Sequence, residues 1–181
     1  MEKKYKLTDE TINLCGKKLC RIKALKDFED VKKGDKGGFI EDEHNLSHDG
    51  NSWVCCDARV YGNARVYDNA RVYGDACVFD NAMVCDNAMV FGNAMVFGNA
   101  RVYGNAKIEN NFDYIVFKNW WSSGRYFTWT RSNDMWKVGC FYGTGEELIK
   151  KAYKDSEFSG RQYERIVKYV EEIKKENGKE I

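Results

Sequence analysis

From residue 54 to residue 108 the chain repeats itself every six residues. Valine stands at 54, 60, 66, 72, 78, 84, 90, 96 and 102, and Ile108 extends the series. Alanine occupies the slot two before each from Ala58 to Ala106, and asparagine or aspartate precedes nearly every alanine. The unit A-[RM]-V-[YF]-[GD]-N alternates with the strand period of two, so Ala and Val point one way and Arg/Met and Tyr/Phe the other. Gly or Asp followed by Asn tolerates φ > 0 and breaks the strand. A short strand and a corner every six residues describe a flat-faced coil. Ala and Val fill its narrow interior, and Asn can stack on Asn from one coil to the next.

An aliphatic residue followed four later by a small one, as in Val60–Ala64, Val66–Ala70 and Val96–Ala100, resembles the hexapeptide-repeat proteins. The resemblance implies a left-handed parallel β-helix with three hexads per triangular turn. Periodicity itself does not fix that hand, and the usual crossover preference is for the opposite one. Ten hexads make about three coils, or ~15 Å of stack at ~4.8 Å per strand, which needs caps. The expected fold is mainly β: an N-terminal cap with irregular first coils over 1–53, the β-helix over 54–111, and a small α+β module over 112–181.

The outward slots change character midway. Arg59, Arg65, Arg71, Arg101 and Lys107 flank Cys77, Met83, Met89 and Met95; in step, Tyr61, Tyr67 and Tyr73 give way to Phe79, Cys85, Phe91 and Phe97 before Tyr103 returns. With three hexads per turn this apolar belt runs once around the prism. A contiguous belt calls for cover, each side chain being worth roughly 1.5–3 kcal/mol when fully buried. One cover is the chain's own C-terminal segment. The other is a second copy, and here the resemblance implies a homotrimer with Cys77, Phe79, Met83, Met89, Phe91, Met95 and Phe97 at its interface. A single segment would struggle to cover three faces, which favours assembly.

In the flanks, KYKLTDETI and LCRIKAL are strand candidates around the turn CGKK. FDYIVFKN, GRYFTWTR and MWKVGCFYG read as three strands. Thr144 with Glu147 and Ser159 with Gln162 form capping boxes for two helices, the last presenting Tyr163, Ile166, Val167, Val170 and Ile173 on one face. The module is therefore β3α2.

Charge narrows the function. The net charge is +1, with eleven basic and eleven acidic side chains in 1–53 and nine of each in 144–181. No basic block is present to track a phosphate backbone, which argues against general nucleic-acid binding. No apolar run approaches the ~20 residues of a membrane span. The N-terminus lacks a signal peptide's apolar core. Seven scattered cysteines form neither a disulfide framework nor a zinc pattern, so cytosol is the expected compartment, with no metal and no cofactor.

Many hexapeptide-repeat proteins transfer acyl groups, using a histidine on the coils as general base. Here the coils hold none; His44 and His48 lie upstream in EDEHNLSHDG and read as turn residues. Cys140 reads as a core residue, and Asp68, Asp75, Asp80 and Asp86 as corner residues. No catalytic residue is assigned. The stretch WWSSGRYFTWTRSNDMWK concentrates aromatics and cations, the composition of an interaction hot spot or a nucleotide clamp. Trp120, Trp121, Arg125, Tyr126, Trp129 and Arg131 are its binding candidates, even though many of these aromatics are needed for the module's own core.

With KYKLT, DVKKGDKGGFIE and NLSHDG ahead of the array and VGCFYGTGEEL after it, the whole chain also resembles proteins of bacteriophages and mobile elements labelled transferase-like or polymer-forming. Three expectations follow: a non-enzymatic binding protein that sequesters a host protein or a small anionic, nucleotide-like signal; an acyltransferase acting on a small hydroxyl or amine; or a self-assembling structural protein. If the belt is dried by assembly, Met89→Lys weakens it; an unchanged oligomer mass for that variant by native mass spectrometry contradicts the idea.

Overall fold

The computed structural model describes residues 2–177. A hairpin of β1 (Tyr5–Leu14) and β2 (Lys17–Ala24) turns at Cys15-Gly16, both at positive φ, and is followed by β3 (Lys36–Ile40). Then come β4 to β13, the two-residue strands Trp53–Val54, Arg59–Val60, Arg65–Val66, Arg71–Val72, Cys77–Val78, Met83–Val84, Met89–Val90, Met95–Val96, Arg101–Val102 and Lys107–Ile108. Each pairs in parallel with the strand three further on, Arg59 with Cys77 and Cys77 with Met95, so one turn takes 18 residues.

Three faces result. The first stacks β3, β5, β8 and β11; the second stacks β6, β9 and β12 beneath a bridge from Leu46 to Val66; the third stacks β4, β7, β10 and β13. The solenoid therefore has four turns, one more than the hexads alone suggest, because Phe39–Ile40 and Leu46 complete the triangle that Trp53–Val54 closes. Inside, Ala58 to Ala106 and Val54 to Ile108 are at most 1 % exposed. At ~25 cal/mol per Å² of apolar surface this column is the main stabilising term of the wall. The left-handed corner position is filled by either Gly or Asp: Gly62, Asp68, Gly74, Asp80, Asp86, Gly92, Gly98 and Gly104 all have φ between 56° and 72°. Asp75 occupies the asparagine slot instead.

Backbone groups link turn to turn. The Arg59 N–H donates to the Ala76 carbonyl at 2.9 Å, and that of Tyr61 to Val78 at 3.0 Å. A solenoid therefore has two raw ends, where such groups lack the next turn. At the start, side-chain donors close the gap. The Tyr5 hydroxyl donates to the Leu46 carbonyl (2.7 Å), the buried Lys4 ammonium to that of Ser52 (2.7 Å), and Arg21 to that of Gly37 (2.9 Å). Over the third face the 25–35 segment lays Phe28 edge-on against Trp53, and Glu29 and Asp30 pair with Arg71.

The far end is roofed by the C-terminal module. Its sheet has four strands, β14 (Tyr114–Lys118), β15 (Tyr126–Thr130), β16 (Met135–Val138) and β17 (Phe141–Gly143), in sequential antiparallel order. The expected third strand thus splits into a hairpin at Gly139-Cys140, where Gly139 has φ 56°. That makes the module β4α2. It also leaves Cys140 exposed on the turn instead of in the core. Helix α1 (Gly145–Asp155) starts at the Thr144–Glu147 capping box, and α2 (Glu157–Asn177) starts one turn earlier than the Ser159–Gln162 pair suggests, because Ser156 Oγ caps the Ser159 N–H at 3.1 Å. Phe127, Trp129, Trp136 and Val138 face the helices and pack with Leu148, Tyr163 and Val167, while Tyr114 and Val116 pack toward the solenoid core.

In the last turn the N–H groups have no following coil, and on each face the one in the Arg/Met slot receives a side-chain oxygen. Met95 donates to Asn111 Oδ1 (2.8 Å), Arg101 to Thr128 Oγ1 (2.9 Å) and Lys107 to Ser132 Oγ (2.7 Å). Thr128 is 1 % exposed, so the isosteric Thr128→Val strands a buried N–H at a cost of about 1–3 kcal/mol. Thr128→Ser keeps the acceptor. Urea denaturation of the two variants should separate them in that order.

Candidate functional site

The outward slots form coil-to-coil ladders. On the first face Tyr61, Phe79 and Phe97 stack at 5.0 and 5.2 Å, and on the third Tyr73 stacks on Phe91 at 5.1 Å. On the second, the hydroxyls of Tyr67 and Tyr103 meet at 2.7 Å beside the buried Cys85. Stacking therefore dries most of the apolar belt within one chain. Cys77, Phe79, Met83, Met89 and Phe91 are half-buried, and only Met95 and Phe97 of the set are exposed, at 38 % and 43 %.

The aromatic-cation segment divides. Trp129 is 3 % exposed, its indole N–H donating to Asp134 at 2.8 Å, and it belongs to the module's core. Trp121 packs edge-on against Tyr163 at 5.3 Å. Trp129 presents no binding surface, which corrects the expectation for it: its side of β15 packs under the helices. Trp120 is 79 % exposed, and Arg131 lies exposed at the end of β15. Arg125 and Tyr126 do come together with other residues.

Those residues are Asn81, Asn99, Arg101 and Gly139, which with Arg125 and Tyr126 line a cleft of about 520 Å³ where the module meets the solenoid. The lining holds two guanidinium groups, two amides and a phenol, and no carboxylate. Neither Arg101 nor Arg125 has an ion-pair partner among the described residues, whereas Arg59 faces Asp75 at 3.9 Å and Arg71 holds Glu29 and Asp30. A second cavity of about 520 Å³, lined by Met95, Phe97, Gly98, Asn99, Asn111, Tyr114, Ile115, Val116 and Tyr126, shares Asn99 and Tyr126 with the first. Arg101 shows in the sequence only as the charge that ends the belt. Its meeting with Arg125 depends on how the module docks, which no local pattern encodes.

Both histidines line another cavity, of about 380 Å³, with Arg65, Tyr67 and Met83. His44 Nδ1 lies 2.9 Å from Asp42 Oδ1 and its Nε2 2.8 Å from the Gly62 carbonyl, so both nitrogens face acceptors. His48 Nδ1 accepts the Lys4 N–H at 3.2 Å, and its ring stacks on Tyr5 at 4.3 Å. Asp68, Cys85 and Asp86 bring ligand atoms within 4.8 Å of one another. Both carboxylates there serve the corners, however: Asp68 accepts the Asp86 N–H (3.4 Å) and Asp86 the Gly104 N–H (2.9 Å).

Residues 58–74, 64–78 and 90–104 match the YdcK Beta solenoid repeat. The chain is a β-solenoid repeat protein. The matched stretches fall within the regular hexads, and the docked module lies outside them. No curated protein matches the chain. No helix among the described residues is long and apolar enough to cross a membrane.

Burial raises the Cys85 thiol from its usual 9 to about 11, and it raises Tyr67 and Tyr103 as well. A raised folded-state value keeps the proton on in the native protein while the unfolded chain ionises. This stability is therefore whole below pH 9 and lost as the pH climbs toward 11. The Cys85 share is on the order of 1–3 kcal/mol. Buried Lys4, lowered to about 8, has the opposite sign and gains stability between pH 8 and 10.5. Urea midpoints across pH 8–11 should therefore fall less steeply for Cys85→Ala than for the native chain.

Proposed function

We propose that the protein is a non-enzymatic binding protein that holds a small anionic ligand in the cleft between the last solenoid turn and the C-terminal module. The observation that carries this reading is the cleft's lining of Arg101, Arg125, Asn81 and Asn99 without a carboxylate. Two guanidinium groups left without ion-pair partners in one concave site offer planar donors to a phosphate or carboxylate. Because the charges are few and local, they suit a small ligand and give no track for a nucleic-acid backbone. Both ring nitrogens of His44 and the Nδ1 of His48 are engaged by neighbouring groups, and neither histidine lines the arginine cleft, which favours binding there over acyl transfer with a histidine base.

From the resemblance to hexapeptide-repeat proteins we further propose that the chain assembles as a homotrimer. The whole-chain resemblance to phage and mobile-element proteins adds a setting: sequestration of a signal molecule in a bacterial cytosol.

Native mass spectrometry of protein freshly purified from a bacterial host tests the reading. The expected result is a retained small anion, lost from Arg101→Ala and from Arg125→Ala with at least a tenfold drop in affinity, while the melting temperature changes little. Binding that survives both substitutions refutes the site.

A further inference from the structure

The aromatic ladder of the first face is unfinished. Tyr61 lies on Phe79 with 2° between the rings and Phe79 on Phe97 with 10°, but no ring among the described residues covers the far side of Phe97. The corner beside it is open too. A Cβ built on Gly62, Gly74 or Gly92 would meet the next layer at 3.1, 3.1 and 3.0 Å, and one on Gly104 would run into the Tyr142 hydroxyl. On Gly98 it would meet nothing within 4 Å. The module thus roofs the Gly104 corner and leaves a gap above Phe97-Gly98-Asn99.

That gap is the second cavity described above. Its walls are Met95, Phe97, Tyr114, Ile115 and Val116, with no charged side chain, and it runs into the arginine cleft past Asn99 and Tyr126. One end is therefore apolar and floored by a ring face; the other is cationic. At the junction, Asn99 ends its corner column: Asn63 donates to Asn81 at 3.1 Å, and no partner of that kind engages Asn99 among the described residues. Its amide is left to meet the edge of whatever lies on Phe97. Each cavity has the volume usual for small-molecule sites, about 300–1,000 Å³.

Building on the anion reading of the cleft, we infer that the ligand supplies the missing rung of the ladder. It is an anion carried on a planar ring, of the size and kind of a nucleoside monophosphate. The ring lies on Phe97 as Phe97 lies on Phe79, Asn99 meets the ring's edge, and the phosphate sits between Arg101 and Arg125. Stacking on an aromatic face is tolerant of base identity, so the amide of Asn99 is the element that can select among bases.

Isothermal titration calorimetry with AMP, GMP, CMP, UMP, ribose 5-phosphate and adenosine tests this. The expected result is at least one nucleotide binding tenfold or more tightly than both ribose 5-phosphate and adenosine. Phe97→Leu, which keeps the apolar volume without the ring, should bring that nucleotide down to the level of ribose 5-phosphate and leave ribose 5-phosphate itself unchanged. Equal binding of ribose 5-phosphate and all four nucleotides, indifferent to Phe97→Leu, overturns the ring assignment and leaves the anion cleft standing. Failure of every phosphate probe to bind overturns both.

Discussion

Everything in this molecule follows from the backbone bond that ties one turn of the solenoid to the next. Within the wall it is satisfied by repetition alone, because each Arg or Met slot finds an alanine carbonyl one turn on, as Arg59 finds Ala76. At the two ends repetition stops, and an open strand edge is both unsatisfied and adhesive. The chain answers with side chains of matching polarity. Lys4, Tyr5 and Arg21 donate into the first turn, and Asn111, Thr128 and Ser132 accept from the last. The flanking segments, more than half of the sequence, are in this sense the termini of a wall.

That division explains what could be read from the residues. Ala58 to Ala106 and the valine column occupy one environment repeated many times, so a period of six names their neighbours without knowledge of the fold. Thr144 with Glu147 is a local device and was equally legible. The hairpin at Gly139-Cys140 was not. Its flanks MWKV and FYG alternate in phase with a single strand, and the glycine that bends them also has other uses. Trp129 was misplaced for a related reason: its side of β15 lies under the helices, and the alternation of FTWT does not say which side is covered. The belt was a subtler case. Its side chains do point outward, but rings one turn apart lie 5.0–5.2 Å from each other, and each serves as part of its neighbour's cover.

The candidate site belongs to neither half of the chain. Arg101 comes from the wall and Arg125 from the β14–β15 connection, and the three capping bonds place one against the other. The groups that hold the module on the wall therefore also set the spacing of the two cations. Thr128, which accepts the Arg101 N–H, sits two residues from Tyr126 on the same strand. Stability of the end cap and geometry of the cleft are one property, so variation there is constrained twice.

The wall's indexing has a genetic corollary. Since a turn takes 18 residues, an in-frame duplication of 18 codons adds one storey and returns the last turn to the same three faces, with the roof fitting as before. A duplication of six codons, though the repeat itself tolerates it, rotates the roof by a third of a turn. Asn111, Thr128 and Ser132 keep their donors, which precede them directly in the chain, but the roof and its cleft then stand over a different face of the first turn. The hexad is the unit of sequence, but the triplet of hexads is the unit of inheritance.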